Sequence, residues 1–169
     1  MFFYKMQFKK PKFWSLNKPN FLAKVLLPFT LAIVLNNFIL NFKKKIKSTQ
    51  IKSICVGNIY LGGTGKTPLS IEIYSILKNL NMNPAFIRKK YQSFQDEVEL
   101  EKQTGPIYQN KKRIEAIKEA IRNNIDVAIL DDGFQDFSIN KDLSLVCFNE
   151  KQWIGNGFTI PSGPLREDL

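Results

Sequence analysis

The sequence of 169 residues contains no histidine, and this absence excludes several kinds of catalytic site. A serine or cysteine nucleophile cannot pair with a histidine base within this chain. Metal sites built on imidazole ligands are excluded for the same reason. A general base must therefore be a carboxylate or come from another chain.

Cysteine is nearly absent as well, since the chain contains only Cys55 and Cys147. Both residues lie in short apolar runs that are typical of strands. This placement predicts buried, reduced thiols in a cytosolic domain, and it does not suggest a disulfide framework.

Acidic residues are missing from the first 50 positions, which hold ten lysines. The other 15 basic residues of the chain are balanced by its 15 acidic residues, so the formal net charge of +10 belongs to the N-terminal segment. We predict two parts: a basic, hydrophobic, membrane-associating segment over 1–50 and one folded domain over 51–169. Because the folded domain is neutral, we expect no nucleic-acid partner.

Residues 21–42 are strongly apolar and end at the lysine run 43–45. A signal peptide is disfavoured because the basic region is long and no small-residue cleavage pattern follows. We favour a helix that lies on an anionic membrane surface, with lysines at the headgroups and aromatic rings in the interface. A membrane span is the next alternative, although Lys24 and several asparagines lie inside it. A helix packed on the domain is the third.

A short apolar run over 51–56 leads into a glycine-rich turn and a Lys-Thr pair that opens a helix-forming segment. This layout is typical of a phosphate-binding P-loop. Glycines let consecutive N–H groups converge on one point, and the following helix directs its positive end there. Lys66 then reaches phosphate oxygens, and Thr67 ligates Mg²⁺.

The nucleotide-binding residues of this interpretation are Tyr60, Leu61, Gly62, Gly63, Thr64, Gly65, Lys66 and Thr67. The first glycine of the usual P-loop pattern would fall on Tyr60, so a glycine-rich hairpin remains the alternative. The chain has no Asn-Lys-x-Asp motif, which argues against a guanine-specific switch protein.

Hydrophobic periodicity predicts an α/β fold with a doubly wound, P-loop NTPase-like parallel sheet and flanking helices. The polar stretch 91–110 predicts a loop with one helical turn around Glu97. The predicted strands are 51–56, 85–87, 127–130 and 143–148, and the predicted helices are 67–80 and 112–124.

Asp131 and Asp132 directly follow the buried-type strand 127–130. A P-loop fold places its Mg²⁺-side carboxylate at the carboxyl end of such a strand. A surface turn is the alternative, because Asp-Asp-Gly also favours one. The glycine- and proline-rich stretch 155–167 is irregular, and Arg166 within it offers a planar fork to a phosphate group.

Five motifs in this order resemble the N-terminal portion of the tetraacyldisaccharide 4'-kinase (lipid A 4'-kinase) family. They lie at 56–59, 62–68, 131–135, 155–157 and 161–167. The resemblance covers about residue 11 to the end of the chain. It implies transfer of phosphate from ATP to the 4'-hydroxyl of tetraacyldisaccharide 1-phosphate, a lipid A precursor, giving lipid IVA. It also implies work at the cytoplasmic face of the bacterial inner membrane.

The resemblance further implies roles for individual residues. Asp96 is expected to be the base for the sugar hydroxyl, and ATP and Mg²⁺ are the expected cofactors. The other assignments are Lys66, Asp131 and Asp132 as catalytic residues, Thr67, Asp131 and Glu97 as Mg²⁺ ligands, and Arg113, Arg166 and Glu167 near the substrate or phosphate.

The chain departs from the family pattern around Asp96. Residues 88–93 stand where the family has Ser-Arg-Gly-Tyr-Gly-Gly, and Gln95 and Val98 replace the glycine and proline that flank the Asp-Glu pair. The family continues past the position of Leu169 into a second α/β domain with a histidine that assists the catalytic aspartate. We therefore expect a separately encoded C-terminal half as a partner. The alternative is an inactive fragment that binds nucleotide and membrane.

Overall fold

The computed structural model describes residues 10–41, 51–60, 64–90, 95–136, 138–151 and 153–166. Within these ranges a five-stranded parallel sheet has the order β3-β2-β4-β1-β5. Its strands are β1 (Lys52–Gly57), β2 (Pro84–Lys89), β3 (Ile107–Asn110), β4 (Val127–Asp131) and β5 (Leu143–Val146). The helices are α1 (Phe21–Val25), α2 (Leu27–Asn41), α3 (Lys66–Asn79), α4 (Gln95–Thr104) and α5 (Arg113–Arg122).

Helices cover both faces of the sheet, which confirms the predicted α/β class. On one face α5 packs Ala116 and Ile117 against a cluster that includes Leu130, and on the other α3 packs Ile73 against a cluster that includes Ile129. Every residue of β4 is buried, as a continuous aliphatic run requires when both faces of a strand are covered. The central strands therefore form a rigid frame for the loops at their carboxyl ends.

The strand order brings three of those carboxyl ends together. β4 lies between β1 and β2, and its Asp131 is in register with Val56 of β1, just before the glycine-rich turn. The last residues of β2, Arg88 and Lys89, end at the same edge because all neighbouring strands are parallel. Ligands of open α/β sheets bind at this edge.

The predicted loop over 91–110 was wrong. The structure has the helix α4 over Gln95–Thr104 and the edge strand β3 over Ile107–Asn110. The helix α4 is polar overall, yet the side chain of Glu101 is fully buried and paired with Arg88. The helix therefore packs on the domain partly through an ion pair. Hydrophobic periodicity cannot detect such a helix, because the signal requires apolar residues on the buried face.

The apolar segment near the N-terminus forms the two helices α1 and α2, which meet at Leu26. Much of their apolar surface faces solvent, and Phe21 is 79% exposed. No helix in the part of the chain that the structure describes combines the length and apolarity needed to cross a bilayer. Other exposed apolar residues here are Leu22, Val25, Leu27, Phe29, Leu31, Leu35, Phe38 and Ile39.

A 3₁₀ turn over Lys12–Ser15 ties the N-terminal segment to the C-terminal stretch. Trp14 is buried, and its indole N–H donates to the carbonyl of Pro161 at 3.0 Å. The backbone N–H of Asn156 donates to the carbonyl of Trp14 at 3.1 Å, and the Asn156 side chain reaches the carbonyl of Phe13 at 3.3 Å. Both cysteines are buried and free, as predicted.

Gly155 and Gly157 allow a direct test of this docking. Both have positive φ, but a Cβ on Gly155 would lie 2.1 Å from the Trp14 carbonyl oxygen, whereas one on Gly157 would meet nothing within 4 Å. Gly157→Ala should cost roughly 1–2 kcal/mol of unfolding free energy through backbone strain alone. Gly155→Ala should cost about 1–3 kcal/mol more through overpacking. Urea unfolding of both variants measures the difference, and equal costs would contradict the packing.

Candidate active site

The glycine-rich turn begins at Tyr60 and ends at the start of α3. Tyr60 is fully buried, forms a β-bridge with Leu165, and its hydroxyl accepts a hydrogen bond from the backbone N–H of Asn149. Gly65 has a left-handed conformation with φ of 77° and caps α3 without a side-chain hydrogen bond. The first N–H groups of α3 therefore face the site without a side-chain cap, which suits an anion. Leu61, Gly62 and Gly63 lie outside the described residues.

Thr67 and Asp131 meet at the centre of this edge. The Thr67 hydroxyl donates to Asp131 Oδ2 at 3.4 Å, and both side chains are buried. The other carboxylate oxygen, Oδ1, is also buried and makes no hydrogen bond within the described residues. Burial raises the pKa of Asp131, and the charges of Arg88 and Lys66 offset this only in part. The site thus holds a buried carboxylate oxygen, Asp131 Oδ1, without a hydrogen bond among the described residues.

Arg88 is a central residue of the site that sequence analysis did not identify. Its guanidinium is buried, and Nη2 forms ion pairs with Asp131 and, at 2.8 Å, with Glu97 Oε2. Its Nε lies 3.3 Å from Glu101 Oε2. The position at the carboxyl end of β2 is the one signal that could have revealed it, because that end adjoins β4.

Glu101 is the second residue that sequence analysis missed. Its side chain is fully buried on α4, where it contacts Arg88. Burial raises the pKa of Glu101 to about 8, although the positive charge of Arg88 opposes the shift. One guanidinium thus serves three carboxyl groups, and the negative charges of Asp131 and Glu97 add to the rise in the pKa of Glu101.

Arg113 supports the acidic pair by binding the backbone carbonyl groups of both aspartates. Its Nη2 donates to the carbonyl oxygens of Asp131 at 2.8 Å and Asp132 at 2.7 Å. Its Nη1 lies 3.5 Å from Asp136 Oδ2. Burial opposes ionisation of Asp136, but hydrogen bonds from Ser138 and the charge of Arg113 lower its pKa overall. The turn after β4 is therefore held by a buried cation.

Arg166 joins the C-terminal stretch to the same site. Its Nη1 lies 3.4 Å from Asp132 Oδ1 and 3.3 Å from Gln135 Oε1. Its backbone N–H donates to the carbonyl of Ile59 at 2.6 Å, next to the glycine-rich turn. The structure therefore brings Arg166 and Asp132 together.

One expected site residue, Asp96, is not brought into this cluster. Asp96 is exposed in the first turn of α4, and no hydrogen bond or ion pair among the described residues joins it to Asp131. Glu97, the expected metal ligand beside it, joins the cluster through its ion pair with Arg88, which also pairs with Asp131. Glu167 lies outside the described residues. Within the described ranges, no group of three or more acidic or cysteine side chains is arranged to hold a metal ion.

Known proteins resemble this chain in sequence and in fold. A profile of the family described as Tetraacyldisaccharide-1-P 4'-kinase matches residues 21–169. The Tetraacyldisaccharide 4'-kinase of Pelagibacter ubique is 51% identical over 164 residues, which cover 97% of this chain and 52% of that protein. The protein of the same name from Shewanella oneidensis is 33% identical, over 96% of this chain and 55% of that protein.

A solved structure is also similar. The crystal structure of LpxK from Aquifex aeolicus in complex with ATP superposes with a TM-score of 0.70 at 25% identity, covering 88% of this chain and 55% of that one. The chain thus spans about half the length of the relatives that it matches.

The buried carboxyl of Glu101 makes stability depend on pH. Its pKa rises from an ordinary 4.5 to about 8 on folding, so the folded state binds more protons than the unfolded state between these values. Stability should therefore fall as pH rises through this window. Glu101→Gln should remove part of that fall, whereas Glu99→Gln on the exposed side of α4 should not.

The measurement is urea unfolding without divalent cations at about pH 5 and about pH 8. Parallel pH dependence of wild type and Glu101→Gln would contradict the assignment.

Proposed function

Because the chain belongs to the Tetraacyldisaccharide-1-P 4'-kinase family, we propose that it forms the nucleotide-binding half of the site of such a kinase. The reaction is transfer of the γ-phosphate of ATP to the 4'-hydroxyl of tetraacyldisaccharide 1-phosphate, which gives lipid IVA. The observation that carries this proposal is the hydrogen bond between Thr67, at the start of α3, and Asp131, at the end of β4. This pair supplies a hydroxyl and a carboxylate where a P-loop fold binds the phosphates and their metal ion.

The residues present fit Mg²⁺. This ion prefers oxygen ligands and takes one or two carboxylates, leaving its other positions to phosphate and water. Asp131 Oδ1 is a buried oxygen without a hydrogen bond in the described chain, and the Thr67 hydroxyl lies beside the same carboxylate. Thr67 and Asp131 would hold the ion, with Glu97 as a further ligand. When bound, Mg²⁺ neutralises charge on the β- and γ-phosphates.

The chain's own residues supply positioning and charge for the transfer. Lys66, the first residue of α3, offers its ammonium group to the phosphate oxygens, and the N–H groups of this turn bind them. Arg113 keeps the backbone of Asp131 and Asp132 in place. Asp96 is exposed, so an acceptor hydroxyl can reach it and give up its proton there. Arg166, which contacts Asp132, offers its planar guanidinium to the substrate or to a phosphate group.

We further propose that α1 and α2 attach the protein to the cytoplasmic face of the bacterial inner membrane. Their large apolar side chains are exposed, and lysines flank them on both sides in the sequence. Exposed apolar and basic residues together favour an anionic membrane surface. An acylated acceptor lies in such a surface, so the same contact brings enzyme and substrate together.

A second candidate function is binding of nucleotide and membrane, with phosphate transfer dependent on a partner that completes the site, such as a separately encoded C-terminal half. In the extreme form of this alternative, the chain is an inactive nucleotide- and membrane-binding fragment. The observation that favours it is that no hydrogen bond or ion pair among the described residues joins Asp96 to Asp131.

Lys66→Ala tests the nucleotide site. Loss of this cation should weaken binding of Mg²⁺-ATP by roughly tenfold or more, about 1.4 kcal/mol, and abolish any transfer of ³²P to the disaccharide acceptor. Lys78→Ala, at the other end of α3, is the matched control. Calorimetry and the transfer assay give the two readouts. Unchanged ATP affinity in Lys66→Ala would refute the site, and binding without transfer in wild type would favour the fragment.

The double variant Phe21→Ser, Phe29→Ser tests membrane attachment. These side chains are 79% and 65% exposed, so their loss removes apolar surface available to the bilayer. If each contributes about 1 kcal/mol on partial burial, vesicle affinity should fall roughly thirtyfold. Co-sedimentation with phosphatidylethanolamine–phosphatidylglycerol vesicles measures this. Leu80→Ser, which is 65% exposed after α3, is the control. Equal retention of the double variant and of Leu80→Ser on the vesicles would contradict attachment through α1 and α2.

A further inference from the structure

A cavity of about 500 Å³ opens at the start of α5, and basic side chains dominate its lining. Two acidic residues, Glu115 and Asp136, also line it, so the lining carries a formal excess of three positive charges. The folded domain over 51–169 is neutral as a whole, and this excess is therefore a local concentration of positive charge. The five cations are Lys89, Lys111, Lys112, Arg113 and Lys118.

We propose that this cavity is a second phosphate pocket, separate from the glycine-rich turn, and that it binds a phosphate monoester carried by a lipid. In the reaction proposed above, that group is the 1-phosphate of the acceptor, and this identification rests on the proposed function. The pocket itself rests on the position of the cavity, on the uncapped start of α5 and on a buried arginine with an unused N–H group.

The cavity lies at the edge of the sheet that holds the candidate active site. Lys89 is the last residue of β2 and is in register with Asn110, the last residue of β3. Lys111 and Lys112 follow directly, and α5 begins at Arg113. Because β2 is parallel to both β3 and β4, these residues share the carboxyl edge of the sheet with the end of β4. Ligands of open α/β sheets bind at this edge.

The start of α5 offers backbone N–H groups to an anion. Lys112 occupies the N-cap position and makes no capping hydrogen bond through its side chain. The first N–H groups of a helix have no acceptor within the helix, and the helix dipole favours a negative charge beside them. Lys111 and Lys112 are exposed, so their ammonium groups can turn toward a ligand in the cavity. Backbone and side-chain donors therefore converge on one point.

Arg113 distinguishes this cavity from a solvated group of lysines. Its side chain is 5% exposed, and its Nε makes no hydrogen bond within the described residues. Its Nη2 is held by the carbonyl oxygens of Asp131 and Asp132, and its Nη1 lies 3.5 Å from Asp136 Oδ2. A buried guanidinium N–H without an acceptor is costly. An anion in the cavity that Arg113 lines would supply the missing acceptor.

The two acidic residues of the lining are already engaged. Glu115 Oε1 lies 3.1 Å from Lys118 Nζ. The carboxylate of Asp136 accepts hydrogen bonds from Ser138 and pairs with Arg113. The remaining excess of positive charge suits a phosphate monoester, which carries about 1.5 to 2 negative charges at pH 7. A phosphodiester headgroup carries a single charge and is matched less well.

The double variant Lys111→Ala, Lys112→Ala tests the pocket. The probes are phosphatidylcholine vesicles that contain the tetraacyldisaccharide either with or without its 1-phosphate. Wild type should bind the phosphorylated vesicles more tightly, and the double variant should lose roughly tenfold in affinity for them alone. Co-sedimentation of the full chain without nucleotide measures this. The double variant Lys78→Ala, Lys102→Ala removes the same charge from the last turns of α3 and α4 and is the control.

Wild-type affinity of the Lys111→Ala, Lys112→Ala variant for the phosphorylated vesicles would overturn the pocket. So would an equal loss in the control, or a wild-type chain that does not distinguish the two kinds of vesicle. Vesicles with phosphatidic acid identify the source of the phosphate. An equal loss there supports a pocket for any lipid phosphate monoester, whereas retained affinity there assigns the pocket to the acceptor.

Nucleotide binding provides a second readout. The affinity of the Lys111→Ala, Lys112→Ala variant for Mg²⁺-ATP should match wild type, because the glycine-rich turn is unchanged. A roughly tenfold loss would mean that these lysines hold phosphates of the nucleotide, and it would overturn a separate pocket.

The experiment distinguishes this proposal from the proposed function. Loss of affinity for phosphorylated vesicles in the double variant, with no phosphate transfer by wild type, would support the pocket and overturn the kinase activity. Transfer by wild type, with an unchanged KM for the acceptor in the double variant, would overturn the pocket alone.

Discussion

The ion pair between Arg88 and Asp131 is the constraint on which the candidate site depends. It joins the carboxyl ends of β2 and β4 in a buried environment, and Glu101 draws α4 onto the same guanidinium. Removing one partner of such a buried pair typically costs about 3–5 kcal/mol, because a charge is left without compensation. The contacts of Glu97 and Glu101 with the same guanidinium therefore help to hold α4 at the site.

The N-terminal segment and the stretch 155–166 are joined to the site by hydrogen bonds of backbone and side-chain groups. Trp14 packs on the stretch that contains Asn156 and Pro161, and the end of that stretch bonds back to Ile59 and Tyr60 beside the glycine-rich turn. The segment that carries α1 and α2 is thus connected to the nucleotide side by a short series of contacts. This connection links the glycine-rich turn to the apolar helices through a few backbone and side-chain contacts.

Particular elements show how far the sequence could predict the site. The strand β4 and the helix α3 were predictable from their apolar residues. In β4 these form a continuous buried run, and in α3 they recur at helical spacing on the face that packs against the sheet. The helix α4 was not, since its fully buried side chain is a carboxylate, which single-sequence patterns assign to the surface. Arg88 escaped notice for the same reason, as a basic residue after a short strand is usually exposed.

The sequence by itself determined the α/β class, the strand–turn–helix of the phosphate-binding loop and the acidic pair after β4, because these depend on local spacing. Tertiary structure alone decided which charges share a guanidinium. The parallel order of the sheet places β4 between β1 and β2, so Thr67, Arg88 and Asp131 meet although 64 residues separate the first from the last. Contacts of that kind depend on strand order and burial, and neither is written in the spacing of residues along one segment.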